Sequence, residues 1–326
     1  MRRRTRANDS TACRRDQRGS ALLLAMVIMM LVVTLAAGMV WQHARAIQIE
    51  GAERARAQSA WMLNGALDWA GLILREDLVK TTEDHLGEPW ATPLAEARLT
   101  TFLAADRSGT VDADAVEDAP DAFLSGAITD AQARWNLRKL IGQDNKVAPK
   151  QFEVLQRLCD KAGVPAGTAQ LLADNYLAAY LGGERAPVMP TAMRDLPWLG
   201  IDRAVVAQLE NFVTLLPTPT KLNINTASAE VLAAVLDVPD GLAHGLVESR
   251  KRTHFKNAQS LKGTLNETQL TAVGNDIDGK TEYFEVRGRM RLDDRVLEEM
   301  SIVRRQGRNV QPVHRERINY VDTGTR

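Results

Sequence analysis

The sequence predicts an α+β protein, with a long N-terminal helix packed on a small antiparallel sheet and a large all-helical region inserted between the two. Three observations predict it. A run from Ala21 to Val40 contains no charged side chain and is followed by a helical recurrence of apolar residues as far as Leu74. Helical patterns broken by glycine and proline then dominate from Pro149 to Leu216, and three strand-like segments close the chain after residue 280.

The N-terminal element follows from length. About 20 apolar residues rising about 1.5 Å each span the roughly 30 Å hydrocarbon core of a bilayer, so residues 21–40 can cross one. Seven arginines (Arg2, Arg3, Arg4, Arg6, Arg14, Arg15, Arg18) precede them and favour a cytoplasmic N-terminus. A cleaved secretory signal would have a shorter apolar core, about 7 to 15 residues, with the small cleavage-site residues after it. Here Gly19 and Ser20 come before the apolar run. From Gln42 to Leu78 there is no proline, and Ala52, Ala60, Leu63, Leu67, Ala70 and Leu74 recur at mostly helical intervals. One helix continuing from the apolar run is expected, the alternative being two helices parted near Gly51.

Residues 81–125 read as irregular, with Pro89, Pro93 and Pro120 and the acids Asp106, Asp112, Asp114, Glu117, Asp118 and Asp121. Calcium could use such oxygens, but no glycine and glutamate follow at the spacing of a calcium loop, so a solvated loop is expected. Ala127 to Leu137 alternates as a strand leading into the helical region. Helices are expected over Lys150–Ala162, Thr168–Leu181 and Ile201–Leu215, with Trp198, Leu199, Leu209 and Phe212 in their core. After the stiff linker Pro217-Thr-Pro-Thr220, Asn225 or Thr226 is placed to cap a helix with Glu230 in its first turn and Val231, Leu232, Val235 and Leu236 on its apolar face. Strands are expected over Tyr283–Arg291, Val296–Arg304 and Val310–Arg317, with turns at Leu292–Arg295 and Gln306–Arg308. The chain thus divides into a leader (1–19), the anchoring helix (20–80), an irregular segment with a first helical region (81–216), a second helical segment (217–275), and strands with a tail (276–326).

Composition and motifs narrow the function. The leader sets seven arginines against Asp9 and Asp16, a net +5, so in a chain that is neutral overall the remainder carries −5. An acidic body has no electrostatic reason to bind nucleic acid. Cys13 lies in the leader and Cys159 is alone beyond it, on the apolar face formed with Phe152, Leu155 and Leu158, so a buried inert thiol is expected. The five histidines show no metal-ligand spacing, and no Gly-x-Ser-x-Gly or Gly-x-Gly-x-x-Gly occurs. Gly274-Asn-Asp-Ile-Asp-Gly-Lys-Thr281 matches the Walker A letters, but a phosphate loop needs a strand before it and a helix after it, and this one reads in the reverse order. The run reads first as a tight polar turn, and calcium is the one cofactor suggested as an alternative, with Asp276 and Asp278 in a loop beside the sheet as its candidate ligands.

Several segments resemble known families. Basic leader, Gly19-Ser20 and an uncharged run resemble the start of type IV pilins and pseudopilins. That resemblance implies cleavage by a prepilin peptidase between Gly19 and Ser20, and N-methylation of Ser20. The fifth mature residue, usually glutamate in these families, is Leu24 here. The family glutamate compensates a neighbouring subunit's N-terminal amine, so a subunit lacking it suits a filament's end. Asp130, Arg134, Asn136 and Leu137, with Lys221-Leu-Asn-Ile-Asn-Thr-Ala-Ser228, resemble two segments of the protein K family of type II secretion systems, the second being SAM-like. That family implies a minor pseudopilin in the bacterial inner membrane, single-pass with its bulk in the periplasm. It also implies a pilin-like head, partners I and J at the pseudopilus tip, export of folded proteins across the outer membrane, and no enzymatic activity. The Asn225 segment, with Val247-Glu-Ser-Arg250 and Phe255 to Leu261, is also similar to helix-hairpin-helix modules, which would imply DNA binding. Here the hairpin position, Val238 to His244, has one glycine, with Asp237 and Asp240 where a phosphate would sit. A membrane-tethered DNA-uptake protein and a type IV pilus minor pilin are the alternatives.

Overall fold

The structure, a computed structural model, describes residues 13–98, 122–292 and 295–321. They fall into two units, Met1–Gln58 and Ser59–Arg326. Helix α1 (Cys13–Lys80) runs through Gly51 without a break, as the single-helix reading expected. Its most apolar window has a mean hydropathy of 2.7 and no buried residue. A helix that is apolar all round and uncovered by its own chain needs another apolar medium. Most of the leader lies outside the described residues.

The second unit is built on antiparallel strands. Strands β1 (Leu94–Arg98) and β2 (Ala122–Asp130) come first in the chain. The two-residue strands β3 (Trp135–Asn136), β4 (Val213–Thr214), β5 (Leu222–Asn223) and β6 (Ile277–Asp278) follow, β3 pairing with β4 and β5 with β6, both in parallel. Strands β7 (Tyr283–Leu292), β8 (Arg295–Gln306) and β9 (Asn309–Val321) complete a five-stranded sheet of order β1-β2-β7-β8-β9. The terminal strands thus reach a residue or two, and in β9 four, beyond the segments read from sequence. Of the two expected turns, Gly307 takes a positive φ of 55° in the second, while the middle of the first lies outside the described residues.

The sheet corrects the reading of 81–125 as irregular, because β1 and the start of β2 fall inside it. The Leu-Ala-Glu-Ala-Arg of β1 and the Ala-Phe-Leu-Ser-Gly-Ala-Ile of β2 are poor in β-branched residues, so propensity gave no signal. Pairing decides instead. Gly126 lies opposite Gly288, and a Cβ at Gly126 would fall 2.8 Å from the Arg287 carbonyl oxygen. The acidic stretch Asp106 to Asp121 lies outside the described residues. Leu63, Leu67, Ala70 and Leu74 of α1, spaced four, three and four apart, are buried against Leu124, Ile128, Phe284, Val286, Met290 and Val303 of the sheet.

The helical region has one continuous core. Helices α2 (Pro149–Ala162), α3 (Thr168–Leu181), α4 (Arg203–Leu209), α5 (Ala229–Leu236), α6 (Asp240–Arg250) and α7 (Glu267–Val273) bury Leu155, Leu172, Leu209, Leu232, Leu246 and Leu270 in it. The segments on either side of Pro217 therefore share a core. Cys159 is buried there as a free thiol, and burial pushes it up to about 12, which keeps it protonated and inert.

Three local expectations are overturned. The helix expected over Ile201–Leu215 ends at Leu209, because Val213 and Thr214 pair with Trp135 and Asn136 as strand. Trp198 is not core but 54 % exposed: it sits on a 3-10 turn (Met193–Leu199), where a period of about three aligns Leu196 with Leu199 inward and turns Trp198 away. The cap of α5 is Ser228, whose Oγ accepts from the Val231 amide at 3.3 Å, rather than Asn225 or Thr226.

Gly279 holds two backbones together. A Cβ there would fall 2.1 Å from the Phe255 carbonyl oxygen and 2.8 Å from that of Lys256. Gly279→Ala is expected to cost about 4 kcal/mol or more and to abolish soluble folded protein. Gly241→Ala, in α6 with open space at the Cβ position, should be neutral or stabilising by about 0.5–1 kcal/mol; thermal melting of the two variants checks the contrast.

Candidate functional site

The second unit presents two features that bear on function: a buried polar joint between the helical region and the sheet, and an outward face of α1 on which exposed apolar side chains sit among Asp68, Arg75 and Glu76. At the centre of the joint is Asp130, the last residue of β2. Its Oδ1 accepts from the Gln132 amide at 2.7 Å. Its Oδ2 accepts from Thr226 Oγ1 at 2.6 Å, Thr281 Oγ1 at 2.6 Å and Asn223 Nδ2 at 2.8 Å. Burial pushes this carboxyl above the usual carboxylate range, and the donated hydrogen bonds oppose it. Asn223 Nδ2 also donates to the Asp84 carbonyl at 3.0 Å, and its Oδ1 accepts from the Asn225 amide at 2.9 Å. Asn225 in turn holds the backbone of Phe255 through both side-chain atoms, at 2.9 and 2.8 Å.

The two family-like segments therefore meet in space. The rest of the first also acts on backbone: Asn136 Nδ2 donates to the Thr218 carbonyl at 2.7 Å, and its Oδ1 accepts from the Leu216 amide at 3.3 Å, which fixes the linker Pro217–Thr220. Arg134 donates to Glu285 on β7 at 2.7 Å and to the Glu210 carbonyl at 3.2 Å. Burial pushes Glu285 up, but Arg134 and Arg287 hold it below its usual range. Leu137 is fully buried.

Two members of the joint were not legible in the sequence. Arg305, at the end of β8, donates to Asp84 in the connector after α1, to Asp77 at 3.2 Å and to the Thr281 carbonyl at 3.1 Å, and lies 4.7 Å over the Phe284 ring. Asp84 and Arg305 are 221 residues apart, beyond any local pattern. Burial raises Asp84 to about 6 in spite of this pairing. Thr281 carried a signal of another kind, as the last letter of the Walker-like run. Helix α7 precedes that run and β6 lies within it, the order opposite to a phosphate loop, and the Thr281 hydroxyl points inward to Asp130.

Asp276 and Asp278, the candidate calcium ligands, face different cations. Asp276 takes Lys139 and Lys150 on its two oxygens and accepts from Gln151 at 2.8 Å. Burial pushes Asp276 up, and the two ammonium groups hold it below the usual range. Asp278 lies 3.3 Å from Lys221. At the hairpin position compared with DNA-binding modules, Asp237 takes a left-handed φ of 54° and α6 opens on Asp240, which pairs with Lys161 at 2.5 Å.

The open face lies on the last five turns of α1. Trp61 is 77 % exposed, Leu72 46 % and Val79 66 %, and at about 100° per residue these three project from the side opposite Leu63, Leu67 and Leu74. Trp69, 42 % exposed, flanks them and borders an apolar cleft of about 290 Å³ between α1, Trp90, Leu94 and Leu124.

A family model for the type II secretion system (T2SS), protein K, matches residues 222–282, the span from β5 through Thr281. Type II secretion system protein K of Pseudomonas aeruginosa is 29 % identical over 313 residues, covering 86 % of this chain and 87 % of that protein. The protein of the same name from Pectobacterium carotovorum subsp. carotovorum is 25 % identical, with 94 % and 98 % covered. The chain is similar to type II secretion system protein K over most of its length. The fold agrees: the crystal structure of the GspK-GspI-GspJ complex from enterotoxigenic Escherichia coli superposes with a TM-score of 0.63 at 18 % identity, over 82 % of this chain and 98 % of that one.

The raised Asp84 carboxyl sets a pH dependence. A carboxyl bound more tightly to its proton when folded contributes stability below about pH 4 and loses it as pH rises through about 6. The stability of wild type minus that of Asp84→Asn is therefore expected to fall between about pH 5 and about pH 8, by on the order of 1–2 kcal/mol; denaturant titrations of both proteins at the two pH values test this.

Proposed function

We propose that this chain caps or initiates the periplasmic end of a pseudopilus, in complex with the minor pseudopilins I and J of its own secretion system. The observation that carries the proposal is the outward face of α1 with its exposed apolar side chains. Trp61, Leu72 and Val79 project away from the sheet that the opposite side of the helix covers. Exposed apolar side chains on this side, set among Asp68, Arg75 and Glu76, give a second helix something to pack on, and another pseudopilin supplies one in the form of its own long helix. The relative from enterotoxigenic Escherichia coli was crystallised as a GspK-GspI-GspJ complex, which supports the choice of partners.

The terminal position rests on Leu24 and on the helical region. Leucine replaces the glutamate that would pair with the amine of a subunit further along, and a helical region of this size on the head leaves little room for subunits stacked above it. In this reading the prepilin peptidase cuts between Gly19 and Ser20 and Ser20 is N-methylated. The apolar helix holds the protein in the inner membrane with its N-terminus cytoplasmic and its bulk periplasmic, and its contribution to export is mechanical rather than enzymatic.

Full-length chain co-expressed with I and J is expected to co-purify with both and to begin at methylated Ser20 by N-terminal mass spectrometry. The double variant Trp61→Glu/Leu72→Glu, which leaves the sheet-facing side untouched, should lower recovery of the complex by about tenfold or more, since tryptophan anchors commonly carry about 2 kcal/mol or more of an interface. Undiminished recovery from the double variant would remove the helix face from the assembly.

A further inference from the structure

Outside the joint, two histidines from different parts of the chain lie face to face. His85 belongs to the connector after α1, and His254 to the loop between α6 and the 3-10 turn Ala258–Leu261. Their ring centroids are 3.4 Å apart and their planes 10° apart. Parallel rings at that separation direct their nitrogen lone pairs into separate planes, so the pair cannot chelate one metal. The His85 side chain is 15 % exposed, and His254 covers it from the solvent side.

The surroundings determine what a proton does here. From the connector, Glu88 Oε1 lies 3.9 Å from His85 Nε2, and Glu83 lies 4.0 Å from Lys256 Nζ of the facing loop. Asp84, behind His85, is already paired with Arg305 of β8. Burial against the connector and the neighbouring His85 hold His254 below the usual imidazole range, against the pull of Glu88 and Glu83. One imidazolium in the stack is thus compensated by carboxylates. A second would set like charges face to face with Lys256 adjacent.

The loop is hydrogen-bonded at both ends: the Arg252 and Thr253 amides donate to the Ser249 carbonyl at 3.0 and 3.1 Å. Phe255 is held by Asn225, and the Lys256 carbonyl accepts from the Gly279 amide at 3.2 Å. Residues 251–254 are exposed and meet the connector through the His254 ring. We propose that the His85–His254 stack is a pH-sensitive clasp, closed while at most one ring carries a proton and opened when both do, that sets how tightly loop 251–257 is held on connector 82–88. The clasp acts in the direction opposite to Asp84, which strengthens the fold in acid.

Hydrogen–deuterium exchange of the full-length protein in detergent, with labelling times scaled for the intrinsic pH dependence of amide exchange, tests the clasp. Between about pH 7.5 and about pH 5, peptides covering 251–257 and 82–88 should lose protection about tenfold, while α2 and β7 stay unchanged. His254→Phe keeps a stacking ring that cannot titrate and should stay protected at both pH values, and His85→Phe should behave alike. Wild-type protection that persists in acid overturns the proposal, as does an acid loss that either phenylalanine variant shares. Loss at both pH values in both variants also counts against it, because a neutral ring would then not be what holds the loop.

Discussion

The architecture depends on one buried carboxylate. Asp130 ends the second strand of the sheet and accepts hydrogen bonds from Asn223 and Thr226 of the helical region and from Thr281 at the entrance to β7. A carboxylate placed in an apolar interior would be severely destabilising, and each donor it captures offsets part of that penalty. Because the donors come from separate segments, the offset is available only when strand, linker and helical region are all in place. A hydrophobic contact between the same parts would tolerate sliding. A carboxylate with fixed donors on both oxygens does not.

The same logic extends outward from Asp130. Asn223 passes the constraint to the connector through the Asp84 carbonyl, Asp84 passes it to Arg305, and Arg305 reaches back to Asp77 and to the Leu74 carbonyl near the end of α1. Asn136 and Asn225, neither of which touches Asp130, fix the linker and the Phe255 loop in the same manner, by side-chain amides that pair with backbone. A joint of this kind keeps a large helical region in a set orientation on the sheet. Buried polar networks give orientation more than net stability.

How far the chain could be read in advance varied with the range of the interactions. The anchor, the sheet-facing residues of α1 and the terminal strands announced themselves through local periodicity, since burial of a helix or strand face imposes a period on the sequence. Helices α2 and α3 were bounded to within a residue by proline, Gly163 and Gly182, which stop a helix through their own backbone chemistry. Reading failed where a neighbour distant in sequence made the choice. Strands β1 and β2 have weak strand composition and form because β7 offers a ladder, while Val213 and Thr214 leave a helical pattern because Trp135 and Asn136 pair with them. Trp198 is turned outward by a 3-10 turn whose three-residue period differs from the one assumed.

The candidate site divides along the same line. Asp130, Arg134, Asn136 and the Asn223 to Ser228 run were found by their resemblance to family segments, and the leader with Leu24 pointed to a pseudopilin, because each is a short stretch whose pattern is complete within a few residues. That the two polar segments bind each other, that Thr281 of a Walker-like run serves Asp130, that Arg305 neutralises Asp84 and that His85 meets His254 could be learned only from the fold. Those pairings lie scores to hundreds of residues apart, and a charge or amide carries no mark in sequence of the partner that folding will bring to it.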